Sequence, residues 1–358
     1  RVEILKQVQN NGIDSGYPIF LMSMDLFDAA PSEKESVMKQ FTCLTILAAL
    51  FIITSGCAHK TTPHPWPADD AETWSPALAQ TMQWFHDNQA AIEEAMTPGR
   101  ILYYLPGSSS GTCSRDITND AIISLGADVT NMHMPIYSHD RRNLFLSRSE
   151  HALKKKHIVC LSRGKPARVL FTVPDHFNYF DVSPDLSEVC FDSRIENRTH
   201  IFRGNVATGE ITVFSDKDVG GVFPSYSPCG KYLAYMASRK LRIRSIRDGG
   251  ERILVDDALL KELPKWSPDG RWIVYQAARE GESYDICKAN VKTGEVVRLT
   301  DNPGMDANPS FNRKGDRIVF VTSPKKEEGG QTLAVMNADG SGVVVDSDGP
   351  ENVFFPVF

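Results

Sequence analysis

Histidine, carboxylate and amide side chains recur in short loops that come just before predicted strands. His133, His176, Asp306 and Glu351 are of the types that transition metals accept as ligands, so they could form a polar or metal-binding mouth if the fold gathers them. The competing interpretation is that they are ordinary polar loop residues and strand caps. No catalytic role follows from these residues. The binding candidates are His133, His176, Asn178, Asp306, Asn308 and Glu351, and the same loops also contain Asn131, Asp175, Glu262 and Asn352.

A repeated turn determines where these loops lie. The segment Ser267-Pro268-Asp269-Gly270 has the composition of a type I turn, with proline presetting φ at the second position and glycine at the last. Apolar and polar residues alternate on both sides, which predicts a β-hairpin. Further copies of this unit begin at about 40–45-residue intervals, the length of one four-stranded propeller blade. The copies span residues 135–145, 180–191, 224–235, 264–275 and 309–320, with Leu186 replacing the glycine in the second.

The two ends of the repeat region complete one further unit. Residues 354–358 have the pattern of its first strand, and residues 97–103 have the pattern of its second half. The sequence therefore predicts an all-β, six-bladed propeller of four-stranded antiparallel blades, whose last blade combines N- and C-terminal strands. Such closure leaves no sheet edge unpaired. The loops that enter the inner strands would then surround a central channel.

The N-terminal region has a different character. Met38-Lys39-Gln40 is followed by an apolar run and then by Thr54-Ser55-Gly56-Cys57, which is the layout of a secretory signal. The cysteine after Ser-Gly resembles a bacterial lipobox, so we expect Cys57 to be lipidated, with a core helix or a membrane anchor as the alternatives. Residues 1–37 would then be upstream sequence that the mature protein lacks. We expect a periplasm-facing protein held at the outer membrane.

Between this signal and the propeller we expect a linker and one helix. Residues 58–74 are rich in proline, threonine and histidine and predict a linker. Residues 75–96 predict a helix that begins with Ser75 as cap and Pro76 at the first position. Its apolar side, with Leu78, Met82, Phe85 and Ile92, should lie against the propeller, which occupies residues 97–358.

Composition and cysteine spacing exclude several classes of protein. The formal net charge of −6 gives no support for nucleic-acid binding. No C-x-x-C pair occurs, so a zinc site is disfavoured. A disulfide framework is not implied either, because a domain of this size can be stabilised by its hydrophobic core alone. Cys190 takes a small core position in its repeat. Gly107-Ser-Ser-Ser-Gly111 matches the hydrolase G-x-S-x-G pattern by letter alone, because no α/β-hydrolase domain fits in the chain.

The repeated turn with aromatic residues on both sides, best seen at residues 226–235 and 266–275, resembles the WD-like propeller repeat of the TolB family. The resemblance covers about 260 residues and implies a propeller fold in the periplasm. TolB proteins also carry a small α/β domain, for which this chain has no room, so the TolB partner set is not carried over.

Two classes of function remain open. The first is a non-catalytic, monomeric scaffold that needs no cofactor and binds an envelope protein, peptide or glycan. The second is a propeller enzyme that acts on polysaccharide, similar to the oligogalacturonate lyases, with a divalent metal at the channel mouth. Absence of a recognisable nucleophile–base set favours the first class.

Overall fold

The computed structural model describes residues 74–97, 100–105, 111–116, 122–124, 132–150, 153–174, 177–278, 283–323, 330–347 and 352–358. All of them belong to one compact unit, Pro63–Phe358. The predicted signal with Cys57, the linker up to residue 73, and the segment 107–110 lie outside the described residues. Within them, no helix is long and apolar enough to cross a membrane.

Two helices precede the sheets: α1 (Pro76–Asp87) and α2 (Gln89–Ala95). Ser75 caps α1 by accepting a hydrogen bond at Oγ from Leu78 N (3.1 Å), as predicted. The expectation of one unbroken helix is wrong, because the chain leaves helical geometry at Asn88. There the backbone N–H (3.0 Å) and the side-chain amide (2.8 Å) both donate to the Trp84 carbonyl, which ends α1.

The rest of the described chain is made of short strands. In chain order they are β1 (Arg100–Leu105), β2 (Gly111–Asp116), β3 (Ile122–Ser124), β4 (Met132–Tyr137), β5 (Asn143–Glu150), β6 (Lys155–Ser162), β7 (Lys165–Pro174), β8 (Phe177–Val182), β9 (Glu188–Ile195), β10 (Arg198–Asn205), β11 (Ile211–Val213), β12 (Val222–Tyr226), β13 (Tyr232–Ala237), β14 (Lys240–Ser245), β15 (Glu251–Val255), β16 (Leu260–Trp266), β17 (Trp272–Ala278), β18 (Asp285–Asn290), β19 (Val296–Arg298), β20 (Met305–Phe311), β21 (Arg317–Ser323), β22 (Thr332–Asn337), β23 (Val344–Val345) and β24 (Phe354–Val357).

These strands pair into six four-stranded antiparallel sheets. Five sheets are consecutive in the chain, β4–β7, β8–β11, β12–β15, β16–β19 and β20–β23, and the sixth has the order β24-β1-β2-β3. In this closing sheet Leu102 pairs with Val357 and Tyr104 with Phe354. The predicted antiparallel four-stranded blades and the predicted pairing of the chain's tail with its first strand are confirmed.

Buried apolar side chains fill the space between neighbouring sheets. Each of six clusters is shared by two adjacent sheets, and the cluster between the closing sheet and β4–β7 also contains Leu78, Met82, Phe85 and Ile92 of the helices. The helices therefore cover a blade beside the closure, as the apolar pattern predicted. Cys190 is fully buried, which confirms its predicted core position.

The repeated turn has the hydrogen bonds and the backbone conformation that its sequence predicts. In the blade β16–β19, Gly270 N donates to the Ser267 carbonyl (2.9 Å), and the hydroxyl of Ser267 accepts from Trp272 N (2.9 Å). Gly270 has a φ of 71°. Leu186 and Arg141 occupy the same place in two other copies with φ of 61° and 60°, so the repeat imposes left-handed backbone even where glycine is missing.

Candidate binding site at the central channel

The inner strand of each sheet carries a bulge at the same place; the inner strands are β4, β8, β12, β16, β20 and β24. The strand registers shift at this point, and in five inner strands a non-glycine residue with positive φ stands directly before a proline. Such left-handed backbone costs about 1–3 kcal/mol per residue and persists only where the surrounding structure holds it. The five residues are Met134, Phe223, Leu263, Asn308 and Phe355.

These bulged residues meet at the axis where all six inner strands converge. Together with Tyr179 of β8 they line a cavity of about 50 Å³, and we call the six side chains the throat. The ring of Tyr179 lies 4.5 Å from that of Phe223 and 5.9 Å from that of Phe355, both in edge-to-face geometry. The throat therefore presents a mainly apolar and aromatic surface to a ligand, with Asn308 as its one amide.

Asp192, on β9, fixes the backbone beside the aromatic part of the throat. Its carboxylate accepts hydrogen bonds from Asn178 N (3.1 Å) and Tyr179 N (2.8 Å) and, from the next blade, Phe223 N (3.0 Å). Burial raises the pKa of Asp192, an effect that these three donors oppose. Burial, with a smaller effect of the Asp192 charge, raises the pKa of Tyr179 to about 12, so its phenol stays protonated at neutral pH.

Gln276 has a similar role between two other blades. Its side-chain oxygen accepts from Asn308 N (2.8 Å), and its amide nitrogen donates to the carboxylate of Glu262 (2.9 Å). Glu262, which the sequence placed at a channel loop, is thus held by its own blade. The polar groups beside the throat hold backbone and one another in fixed positions.

The binding candidates from the sequence have different surroundings. His133 lies on β4 opposite Ser147, and its side chain is outside the described part. His176 and Glu351 are outside the described residues altogether. Asn178 is exposed next to the throat, and Asn308 belongs to the throat.

Two of these candidates show how the site uses its polar atoms. Asp306 is buried, and its carboxylate accepts from Thr322 Oγ1 (2.7 Å) and Asn302 Nδ2 (3.2 Å) within its own blade. By contrast, Asn308 Oδ1 is buried without a hydrogen-bond partner among the described residues. Asn308 could therefore give a bound ligand an acceptor inside an otherwise apolar throat.

Sequence reasoning missed the throat, although the sequence contained a signal for it. In four copies a proline stands three residues before the first turn residue (Pro135, Pro224, Pro264 and Pro309), and Pro356 has the same place in the C-terminal half-unit. The side chain just before each proline is the one that reaches the axis. In the described ranges, no group of three or more His, Cys, Asp or Glu side chains is placed to hold an ion.

Solved structures of other proteins have a similar fold. No family model and no curated protein sequence matches the chain. TolB from Acinetobacter baumannii superposes with a TM-score of 0.58 at 18% identity, covering 72% of this chain and 66%, just under two thirds, of that one. A putative TolB from Agrobacterium tumefaciens gives a TM-score of 0.53 at 21% identity over 69% of this chain and 87% of that one. An oligogalacturonate lyase in complex with manganese reaches a TM-score of 0.45 at 15% identity over 65% of this chain and 69% of that one, too low for a functional argument. The fold is a TolB-like β-propeller.

Proposed function

We propose that this TolB-like propeller is a non-catalytic binding scaffold of the bacterial cell envelope. The observation that carries the proposal is the throat, where Tyr179, Phe223 and Phe355 form an aromatic surface on rigid, bulged backbone. Aromatic side chains supply large contact area with little loss of conformational freedom, which suits recognition. Described carboxylates near the throat, Asp192, Glu262 and Asp306, accept internal hydrogen bonds. Binding is therefore better supported here than acid–base or metal chemistry.

The ligand proposed for the throat is an envelope protein segment, peptide or glycan. Its extended part would contact the aromatic rings, and Asn308 Oδ1 would accept a hydrogen bond from it. His133, His176, Asn178 and Glu351 belong to the proposed site as polar residues at its mouth.

A substitution in the throat tests this proposal. The purified full-length chain is screened on arrays of envelope glycans and peptides, and the best binder is titrated against Tyr179→Ala. Loss of one aromatic contact should weaken binding by about tenfold. Val344→Ala, which shortens an exposed apolar side chain of β23 outside both the throat and the other described pockets, should bind like the parent. Equal binding by Tyr179→Ala, or turnover of a polysaccharide that requires added divalent metal, would contradict the scaffold proposal.

We also propose that lipidated Cys57 anchors the propeller, facing the periplasm, at the outer membrane. The support is the signal-like segment ending at Cys57, together with the periplasmic setting that the TolB resemblance implies. Expressed in a Gram-negative host, the full chain should incorporate radiolabelled palmitate, and Cys57→Ala should not. Labelling that persists in Cys57→Ala would rule out this anchor.

A further inference from the structure

A groove separates the blades β12–β15 and β16–β19 on the side of the repeated turns, away from the throat. Its volume is about 650 Å³, within the roughly 300–1,000 Å³ typical of small-molecule sites. The neighbouring turn residues 227–229 and 269–271 line it, together with residues 290–293 of the β18–β19 turn. No residue of the throat lines it.

The floor of the groove is apolar and fixed in place. Trp266 and Ile243 are buried at its base, and Tyr232 is 42% exposed beside them. The indole N–H of Trp266 donates to the Ser225 carbonyl (3.1 Å), which holds the ring across the two blades. An apolar ligand would meet a formed surface and would not have to order it first.

The rim of the groove is positively charged, although the chain as a whole carries a net charge of −6. Arg252, Arg271 and Lys292 contribute three cations, against the single carboxylate of Asp269. The guanidinium of Arg252 donates to the Val291 carbonyl of the opposite blade, so this charge is held over the groove. Arg271 and Asp269 form only a loose exposed pair (3.7 Å).

We propose that this groove binds a small soluble anion with an apolar body, such as a fatty-acid-sized carboxylate or an aryl sulfonate. The apolar part lies on Trp266, Ile243 and Tyr232, and the anionic group lies at the rim between Arg252, Arg271 and Lys292. Apolar burial supplies the affinity, and the rim cations orient the ligand and exclude cationic ones.

The fluorescent probe anilinonaphthalene sulfonate tests the charge requirement on the full chain. It should bind saturably, and Arg271→Glu should weaken it by about fivefold or more, because an attractive charge becomes a repulsive one. Arg142→Glu is a matched control: Arg142 has the same place in another copy of the turn and the same loose pair, with Asp140 at 3.7 Å, but does not line the groove. It should bind like the parent. No saturable binding, or equal weakening by both reversals, would overturn the proposal.

A second variant tests the position of the apolar body. Cys229 is exposed on the rim, so Cys229→Phe fills part of the groove without changing its charge, and probe binding should fall at least several-fold. Octanoate should displace the probe from the parent protein and acetate should not, because only octanoate has an apolar chain to bury. Unchanged binding by Cys229→Phe, or equal displacement by acetate and octanoate, would overturn the proposal.

Discussion

Gly270 shows how a single residue fixes the repeated turn. Its φ of 71° lies in the left-handed region, and a Cβ built there would meet nothing closer than Pro228 Cδ at 3.9 Å. The cost of a side chain at this position is therefore backbone strain without a clash. Gly270→Ala should lower the free energy of unfolding by about 1–2 kcal/mol in denaturant titration. Gly250→Ala, at a glycine without positive φ whose added Cβ would meet only the exposed carboxylate of Asp248, should change it by less. An equal effect of the two substitutions would contradict this account.

His157 makes stability depend on pH. It is buried, its Nε2 lies 2.9 Å from Glu150 Oε2, and its Nδ1 lies 2.9 Å from Thr172 Oγ1. Burial lowers the pKa of His157 despite the opposing effect of Glu150. The unfolded chain then takes up the proton first, so stability present above pH of about 6.5 decreases as the pH falls toward the folded-state pKa.

Removing the imidazole tests this linkage. In His157→Gln the slope of unfolding free energy against pH should become shallower just below pH of about 6.5, while loss of carboxylate contributions at lower pH should remain. Chemical denaturation at several pH values measures both slopes. An unchanged slope in His157→Gln would show that other groups control the pH dependence.

Individual residues differ in how far their roles could be read from the sequence. Gly270 was predictable because residue type alone limits φ in a tight turn. The role of Asp192 was not, because its third donor, Phe223 N, belongs to the next blade, and one sequence does not reveal which backbone groups meet across a blade interface. Asp306 looked like a ligand from its loop position, but its contacts with Thr322 and Asn302 depend on strand register.

At the scale of elements, α1 is held on blade β4–β7 by side chains of β5. Arg148 Nε donates to Thr81 Oγ1 (2.7 Å), Nη2 donates to the Ala77 carbonyl (2.9 Å), and the guanidinium also pairs with Glu150 (3.3 Å). Glu150 in turn accepts a hydrogen bond from the hydroxyl of Ser75, the cap of α1. One buried polar network thus joins the start of the helix to the blade.

Arg148→Met should release the start of α1. The change removes the two hydrogen bonds from Arg148 to α1 and the guanidinium that pairs with Glu150. It should increase amide exchange in residues 76–87 at least tenfold, with little change in β16–β19. Hydrogen exchange followed by mass spectrometry measures both segments. Gln83→Ala, on the exposed side of α1, is the control and should keep parental exchange apart from local fraying. Parental exchange in Arg148→Met would contradict the proposed attachment.

The sequence predicted these elements more accurately than their junctions. The apolar side of the helix and the alternation of the strands depend on local periodicity, which a single sequence displays. The break at Asn88 depends on two hydrogen bonds to Trp84, and the inner-strand bulges depend on contacts at the axis. The break at Asn88 has no periodic signal in the sequence, whereas a regularly placed proline follows the bulged residue in five of the inner strands.

At the scale of the whole propeller, the sheets form a ring because the last strand, β24, pairs with the first strand, β1. Besides the pairing of β24 with β1, Arg141 donates to the Phe311 carbonyl (2.7 Å) and to the backbone oxygen of Phe358, which ties blade β4–β7 to the two sheets around the closure. The throat needs Phe355 of β24, so it is complete only when the ring is closed. The closure could be predicted because residues 97–103 and 354–358 each contain a recognisable half of the repeat. The sequence contains no comparable pattern that identifies a ligand.

Hydrogen exchange of the backbone amides of Phe354 and Val357, the two positions where β24 pairs with β1, tests the closure most directly. In the full-length protein these amides should exchange slowly, as in the other inner strands, because β24 pairs with β1 and packs against β20 and β4. Exchange within seconds, as in a free chain end, would show that the ring is open and that the proposed throat site does not form.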